Sequence, residues 1–140
     1  MTEMPSEKLN ILVIEDDLVY AGFVADTLRA AGHAVIVAPT GADAREHARR
    51  LQPDAVILDL GLPDENGYDL ARVLRQHLLP RTSIIILLTA NLFPERDLAE
   101  AVGIDIVLTK PVEADVVRGM VELIRTRRGR RLRHDPSTQS

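Results

Sequence analysis

The chain has 140 residues, 46% hydrophobic but only 3% aromatic, with no cysteine and a formal net charge of −4. That length suits one domain with a core built from Val, Ile, Leu and Ala, and it is too short for two full domains. The absence of cysteine excludes disulfides, thiolate catalysis and cysteine-ligated metals, while the polar start and the lack of any 18-residue apolar run exclude a secretory signal and a membrane span, so a cytoplasmic address is expected.

In chain order, short β-branched runs alternate with segments of helical period. This predicts strands near 10–15, 34–38, 55–59, 83–89 and 104–109, and helices near 17–31, 40–51, 67–79, 94–101 and 113–128. Leu18, Ala21, Ala25 and Leu28 form one face of the first helix; Val116, Val117, Met120, Leu123 and Ile124 form one face of the last. Gly32 follows the first helix and Gly103 the fourth, Thr40 can cap the second, and Gly129 with Pro136 beyond it is expected to stop the fifth. Five βα units predict an α/β fold: a doubly wound, five-stranded parallel sheet of order 2-1-3-4-5, flavodoxin-like, with strands one and three adjacent at the switch point. The expected organisation is an N-terminal extension over 1–8, a domain over 9–124, and an Arg-rich helix end and tail over 125–140. Six of the chain's 17 basic residues fall in that tail against Asp135 alone, leaving 11 basic and 20 acidic residues in 1–124.

The strand ends carry the chemistry. In an open parallel sheet all carboxyl ends share one edge, where ligands bind. Here those ends bear Glu15, Asp16 and Asp17, then Asp59, then Thr89, then Lys110 followed by Pro111. Clustered carboxylates repel unless protons or a cation neutralise them, and magnesium takes one or two carboxylates, waters and phosphate oxygens. Asp16 and Asp59 are candidate direct ligands, Glu15 a ligand through water, and the backbone carbonyl of Gly61 a further oxygen. The plainer reading of Asp16 or Asp17 is an N-cap of the first helix. Asp59 is separated from the next helix by a loop, and a strand-tip carboxylate of this kind can act as a nucleophile toward phosphorus. Lys110 would pair with Asp59 at rest and with a phosphoryl oxygen afterwards, and Thr89 would donate a hydrogen bond to another oxygen. A buried Asp–Lys pair and a Thr that ends a strand are the plain alternatives.

Four motifs, Ile11 to Asp17 (ILVIEDD), Asp59 to Gly67 (DLGLPDENG), Thr89-Ala90 and Lys110-Pro111, appear in an order and spacing that resembles the receiver domains of two-component response regulators. The likeness runs from about Leu9 to Leu123. It implies that Asp59 accepts a phosphoryl group from a sensor histidine kinase or histidine phosphotransfer protein, that Glu15 and Asp16 bind Mg2+ with Asp59, that Thr89 and Lys110 read the phosphorylated state, and that a stand-alone switch catalyses only its own phosphorylation and dephosphorylation. A cis bond at Lys110–Pro111 fits the same likeness. Val107 stands where an aromatic is usual and Val112 where phenylalanine is frequent, so altered packing of the 90–102 segment, which contains Pro94, is the expected route of output to an unknown protein partner. Gly61 and Asn91 flank the expected path of a hydrolytic water, and the small Gly61 implies a modest phosphoryl lifetime.

Three rival readings remain at this stage, one being a receiver segment that belongs to a larger protein. A magnesium-dependent phosphatase of the haloacid dehalogenase type also uses a strand-end Asp, but it places a second Asp where this chain has Gly61. The tail from Arg125 to Arg133 can contact nucleic acid through counterion release, yet without aromatic interleaving a solvated helix end is the simpler reading, and nucleic acid is not an expected partner. His33, His47, His77 and His134 form no zinc motif, and no Gly-rich phosphate loop follows the first strand.

Overall fold

The structure, a computed structural model, describes residues 8–91 and 94–133. The N-terminal extension expected over 1–8, Leu92 and Phe93 of the segment expected to carry the output, and His134 with the end of the tail lie almost wholly outside these residues. The elements are β1 (Asn10–Ile14), α1 (Leu18–Ala30), β2 (Ala34–Ala38), α2 (Gly41–Leu51), β3 (Ala55–Asp59), α3 (Gly67–Val73), β4 (Ile84–Thr89), α4 (Arg96–Ala101), β5 (Ile106–Thr109) and α5 (Ala114–Arg133). After α3 the chain makes one π-helical turn, Leu74–Leu78, closed by the Leu79 N–H donating to the Leu74 carbonyl at 2.8 Å.

All strand pairs are parallel and the order is β2-β1-β3-β4-β5, as the alternating pattern predicts. Successive strand residues point to opposite faces, so each strand feeds two cores. Ile11, Val13, Ile57, Ile84, Ile86 and Leu88 pack under α1 and α5, against Val24, Leu28, Val117, Met120 and Ile124. Leu12, Ile14, Val56, Leu58, Ile85 and Leu87 pack under α2, α3 and α4, against Ala44, Ala48, Leu70 and Ala99. Burial on both faces explains why the strands read as unbroken apolar runs. Among the described residues, no helix is long and apolar enough to cross a membrane.

Several boundaries and faces depart from the sequence reading. Leu18 is 64% exposed, and α1 buries Ala21, Ala25 and Leu28 as expected with Val24 in place of Leu18. Val116 and Leu123 are also exposed, which leaves Val117, Met120 and Ile124 as the inner stripe of α5. A single helix lying on a sheet buries only a narrow stripe, so apolar residues flanking it need not turn inward. Gly129 does not stop α5, which runs to Arg133 and crosses position 124 unbroken. One glycine costs a helix only about 1 kcal/mol, and the arginines around it are good helix formers. By contrast, Gly32 and Gly103 adopt positive φ (96° and 92°), and Thr40 caps α2 by accepting the Asp43 N–H at 3.1 Å.

Candidate phosphoacceptor site

Parallel pairing brings the carboxyl ends of β1, β3, β4 and β5 to one edge of the sheet, and the polar residues at those ends converge there. Carboxylate oxygens of Glu15, Asp16 and Asp59 lie within 4.8 Å of one another. Lys110 Nζ stands 3.0 Å from Asp59 Oδ1 and donates to Glu15 Oε1 as well. Glu15, Asp59 and Lys110 side chains are only 4%, 12% and 21% exposed, so charges are held together in partly dry surroundings.

Local geometry sorts the three acids that follow β1. Asp17 is the N-cap of α1: its Oδ1 accepts the Val19 and Tyr20 N–H groups, each at 3.1 Å. That leaves Asp16 free of the capping role and exposed beside the cluster. Glu15 points inward, and its Oε2 accepts the Asp17 N–H at 3.3 Å. Burial pushes the Glu15 carboxyl up to about 7, against the pull of its hydrogen bond from Lys110 and with help from the Asp59 charge. For Lys110 burial works to lower the pKa, but the bonds to Glu15 and Asp59 outweigh it and the group is raised.

Thr89 is buried at the end of β4, and its hydroxyl oxygen accepts the Asn91 N–H at 3.1 Å. Lys110 is tied to the same strand end by its backbone N–H, which donates to the Thr89 carbonyl at 2.8 Å. The Lys110–Pro111 bond is cis. Gly61 lies two residues past Asp59 in a loop closed by a bridge to Asn66 and by the Gly67 N–H donating to the Leu60 carbonyl at 2.8 Å. A Cβ at Gly61 would meet nothing within 4 Å.

Three partners of this edge escape sequence reasoning. The Glu15–Lys110 pair joins residues ninety-five positions apart; the strand-end pattern brings both to this edge, but the pattern assigned the lysine to Asp59 and not to Glu15. The loop after β3 is latched to α2: Asp64 accepts the Gly41 and Ala42 N–H groups at 2.9 and 3.2 Å, and Arg45 holds Glu65 through two bonds of 2.6 and 2.8 Å. These bonds to the helix N-terminus, the Gly41 N–H foremost, hold the Asp64 carboxyl below its ordinary value. Tyr20, in the first turn of α1, lies under Lys110 with its ring centroid 4.8 Å from Nζ. Acids near a helix start hint at the latch, but nothing in the spacing singles out Tyr20.

Comparison with known proteins agrees with this geometry. Residues 11–122 match the family described as the response regulator receiver domain. The chain is 33% identical over 122 residues to the aerobic respiration control sensor protein ArcB of Escherichia coli (strain K12), a match covering 86% of this chain and 16% of that protein. It is 33% identical over 128 residues to the probable transcriptional regulatory protein TcrX of Mycobacterium tuberculosis, covering 90% and 54% respectively. The chain thus spans only part of the length of these relatives. Among solved structures, the receiver domain of sensor histidine kinase PA1611 from Pseudomonas aeruginosa PAO1, with a magnesium ion coordinated in its active site cleft, superposes with a TM-score of 0.74 at 30% identity, covering 84% of this chain and 97% of that one. With sheet order, strand-end acids and lysine all in agreement with a match across most of its length, the chain belongs to the response regulator receiver domain family.

Proposed function

We propose that Asp59 is the phosphoacceptor and that Glu15, Asp16, Thr89, Lys110 and the Gly61 backbone serve the transfer. The observation that carries this reading is the contact of Lys110 Nζ with Asp59 Oδ1 beside two further carboxylates. Three acids facing one ammonium leave an excess of negative charge built from hard oxygen donors, which fits a magnesium ion. Asp16, Asp59 and the Gly61 carbonyl would hold it, with Glu15 behind them, and it supplies positive charge against phosphoryl oxygens.

The protein's own groups account for the rest. An Asp59 carboxylate oxygen attacks phosphorus of a phosphohistidine donor; the new P–O bond forms as the P–N bond breaks, and that electron pair leaves with the imidazole nitrogen. Lys110 turns from the Asp59 carboxylate toward a phosphoryl oxygen, and the Thr89 hydroxyl, whose oxygen already accepts from Asn91, keeps its proton to donate to another. Contacts made only with the phosphoryl group in place favour one arrangement of the loops after β4 and β5, which is how a covalent change becomes a change of binding surface. The donor is a sensor histidine kinase or a histidine phosphotransfer protein, and the surface that changes answers to a downstream protein.

The test weighs intact protein after incubation with magnesium and acetyl phosphate. Wild type is expected to gain one phosphoryl group and Asp59→Asn none; equal labelling of the two would remove Asp59 from its role.

A further inference from the structure

Lys110 needs more than its two carboxylates to stay in place. An ammonium carries three protons, and Glu15 and Asp59 account for two of its neighbours. A further side of it faces the Tyr20 ring, whose centroid is 4.8 Å from Nζ, within the distance at which the negative face of an aromatic attracts a cation. The backbone that follows the lysine has its own requirement. Pro111 has no N–H, so the segment Lys110–Val112 offers two backbone donors. The Lys110 N–H goes to the Thr89 carbonyl, and the Val112 N–H goes to the Tyr20 hydroxyl at 3.0 Å. Tyr20 is therefore an anchor of the chain two residues past the lysine and a partner of its side chain.

The support is itself fixed. The Tyr20 N–H is held by Asp17 in the cap of α1, its ring packs against the core under α1 and α5, and it lies 6.4 Å from the Phe23 ring at a tilt of 39°. Val112 is buried in the same core, so the clamp ties α1 to the β5–α5 junction.

We propose that Tyr20 is a positioning residue for Lys110: its ring holds the ammonium beside the acid cluster while its hydroxyl fixes the chain beyond cis-Pro111. The choice of an aromatic matters physically. A carboxylate in that position would compete with Asp59 for the ammonium, and an aliphatic side chain would not attract it. A ring face attracts the charge without fixing its rotation, which leaves the ammonium able to exchange the Asp59 oxygen for a phosphoryl oxygen. The role in transfer rests on the reading of Asp59 as phosphoacceptor; the holding of Lys110 does not.

Two variants of the full chain, Tyr20→Phe and Tyr20→Leu, separate ring from hydroxyl. In unphosphorylated wild type the ε-methylene protons of Lys110 are expected upfield of ordinary lysine in the NMR spectrum; Phe keeps that shift and Leu abolishes it. Amide exchange at Val112 rises in both. With magnesium and acetyl phosphate, labelling of Asp59 slows about threefold in Phe and about tenfold in Leu, as loss of a hydrogen bond and then of a cation–π contact would give. Lysine resonances unmoved in the Leu variant, or labelling at the wild-type rate in both variants while wild type itself is labelled, would overturn the proposal. Should Leu fail to fold, Phe decides: a retained lysine shift with faster Val112 exchange supports the clamp, and unchanged exchange overturns it. If wild type takes no label, the Asp59 reading falls, and the lysine and Val112 resonances still decide whether Tyr20 holds Lys110.

Discussion

His33, in the turn between α1 and β2, is 4% exposed, and its Nδ1 accepts the Leu9 N–H at 3.0 Å. Nδ1 can accept only when unprotonated, so the native ring is neutral with its hydrogen on Nε2. Burial, and then the nearby Arg125 charge, lowers its pKa from 6.5. As pH falls below 6.5 the unfolded chain takes up this proton while the folded chain does not, so stability drops down to the lowered native pKa. Urea unfolding at about pH 7.5 and about pH 5.5 should show a loss in wild type that shrinks in His33→Asn. Glu15, raised to about 7 chiefly by burial, tilts the other way: its native proton favours the fold most below 4.5, and that advantage fades as pH rises toward 7. Comparing the two proteins, rather than two pH values, isolates His33. Gly67 makes a second single-residue test. A Cβ there would lie 2.8 Å from Leu60 Cα and 2.9 Å from the Asp59 carbonyl oxygen, both backbone atoms. Gly67→Ala should cost about 1–3 kcal/mol in denaturant unfolding, and it should slow phosphoryl labelling because the strain falls on the acceptor's own main chain.

At the scale of elements, α5 carries a test without strain: Gly119 is exposed in mid-helix and a Cβ there meets nothing within 4 Å. Gly119→Ala should stabilise the protein by about 0.5–1 kcal/mol in the same unfolding experiment. The elements also show why some features were legible in the sequence. A strand buried on both faces is apolar throughout and stops at the first polar residue, so Ile14, Asp59 and Thr89 mark three strand ends directly, and the positions of Glu15, Asp16, Asp59 and Lys110 follow from parallel order alone. Helix faces were less legible. Spacing of three and four admits Leu18, Val116 and Leu123 as readily as Val24 and Val117, and only the placement of α1 and α5 on the sheet decides among them. Tyr20 was hidden for the same reason: its contact depends on how α1 sits relative to the end of β5. The π-helical turn at Leu74–Leu78 has no signature in a segment that reads as plain helix.

Across the whole molecule, Arg75 binds the amino-terminal end of the sheet as Lys110 binds the other. From the π-helical turn it donates to the Ser83 carbonyl at 2.8 Å, to the Gly103 carbonyl at 3.1 and 3.0 Å, and to Asp105 Oδ2 at 2.8 Å, while Asp105 also accepts the Ile85 N–H. Its side chain is 18% exposed and that of Asp105 8%, so Arg75→Ala takes the cation away from a nearly buried carboxylate and removes its bonds to two carbonyls, and should cost about 3–5 kcal/mol, read by urea unfolding. Lys110 leaves the shortest strand of the sheet, β5, whose four residues have, among the described residues, β4 alone as a strand neighbour. Asp59 ends a central strand flanked on both sides. The anion thus ends a strand paired on both sides while its counter-ion follows an edge strand, so fewer backbone bonds resist a pull on the lysine than on the aspartate.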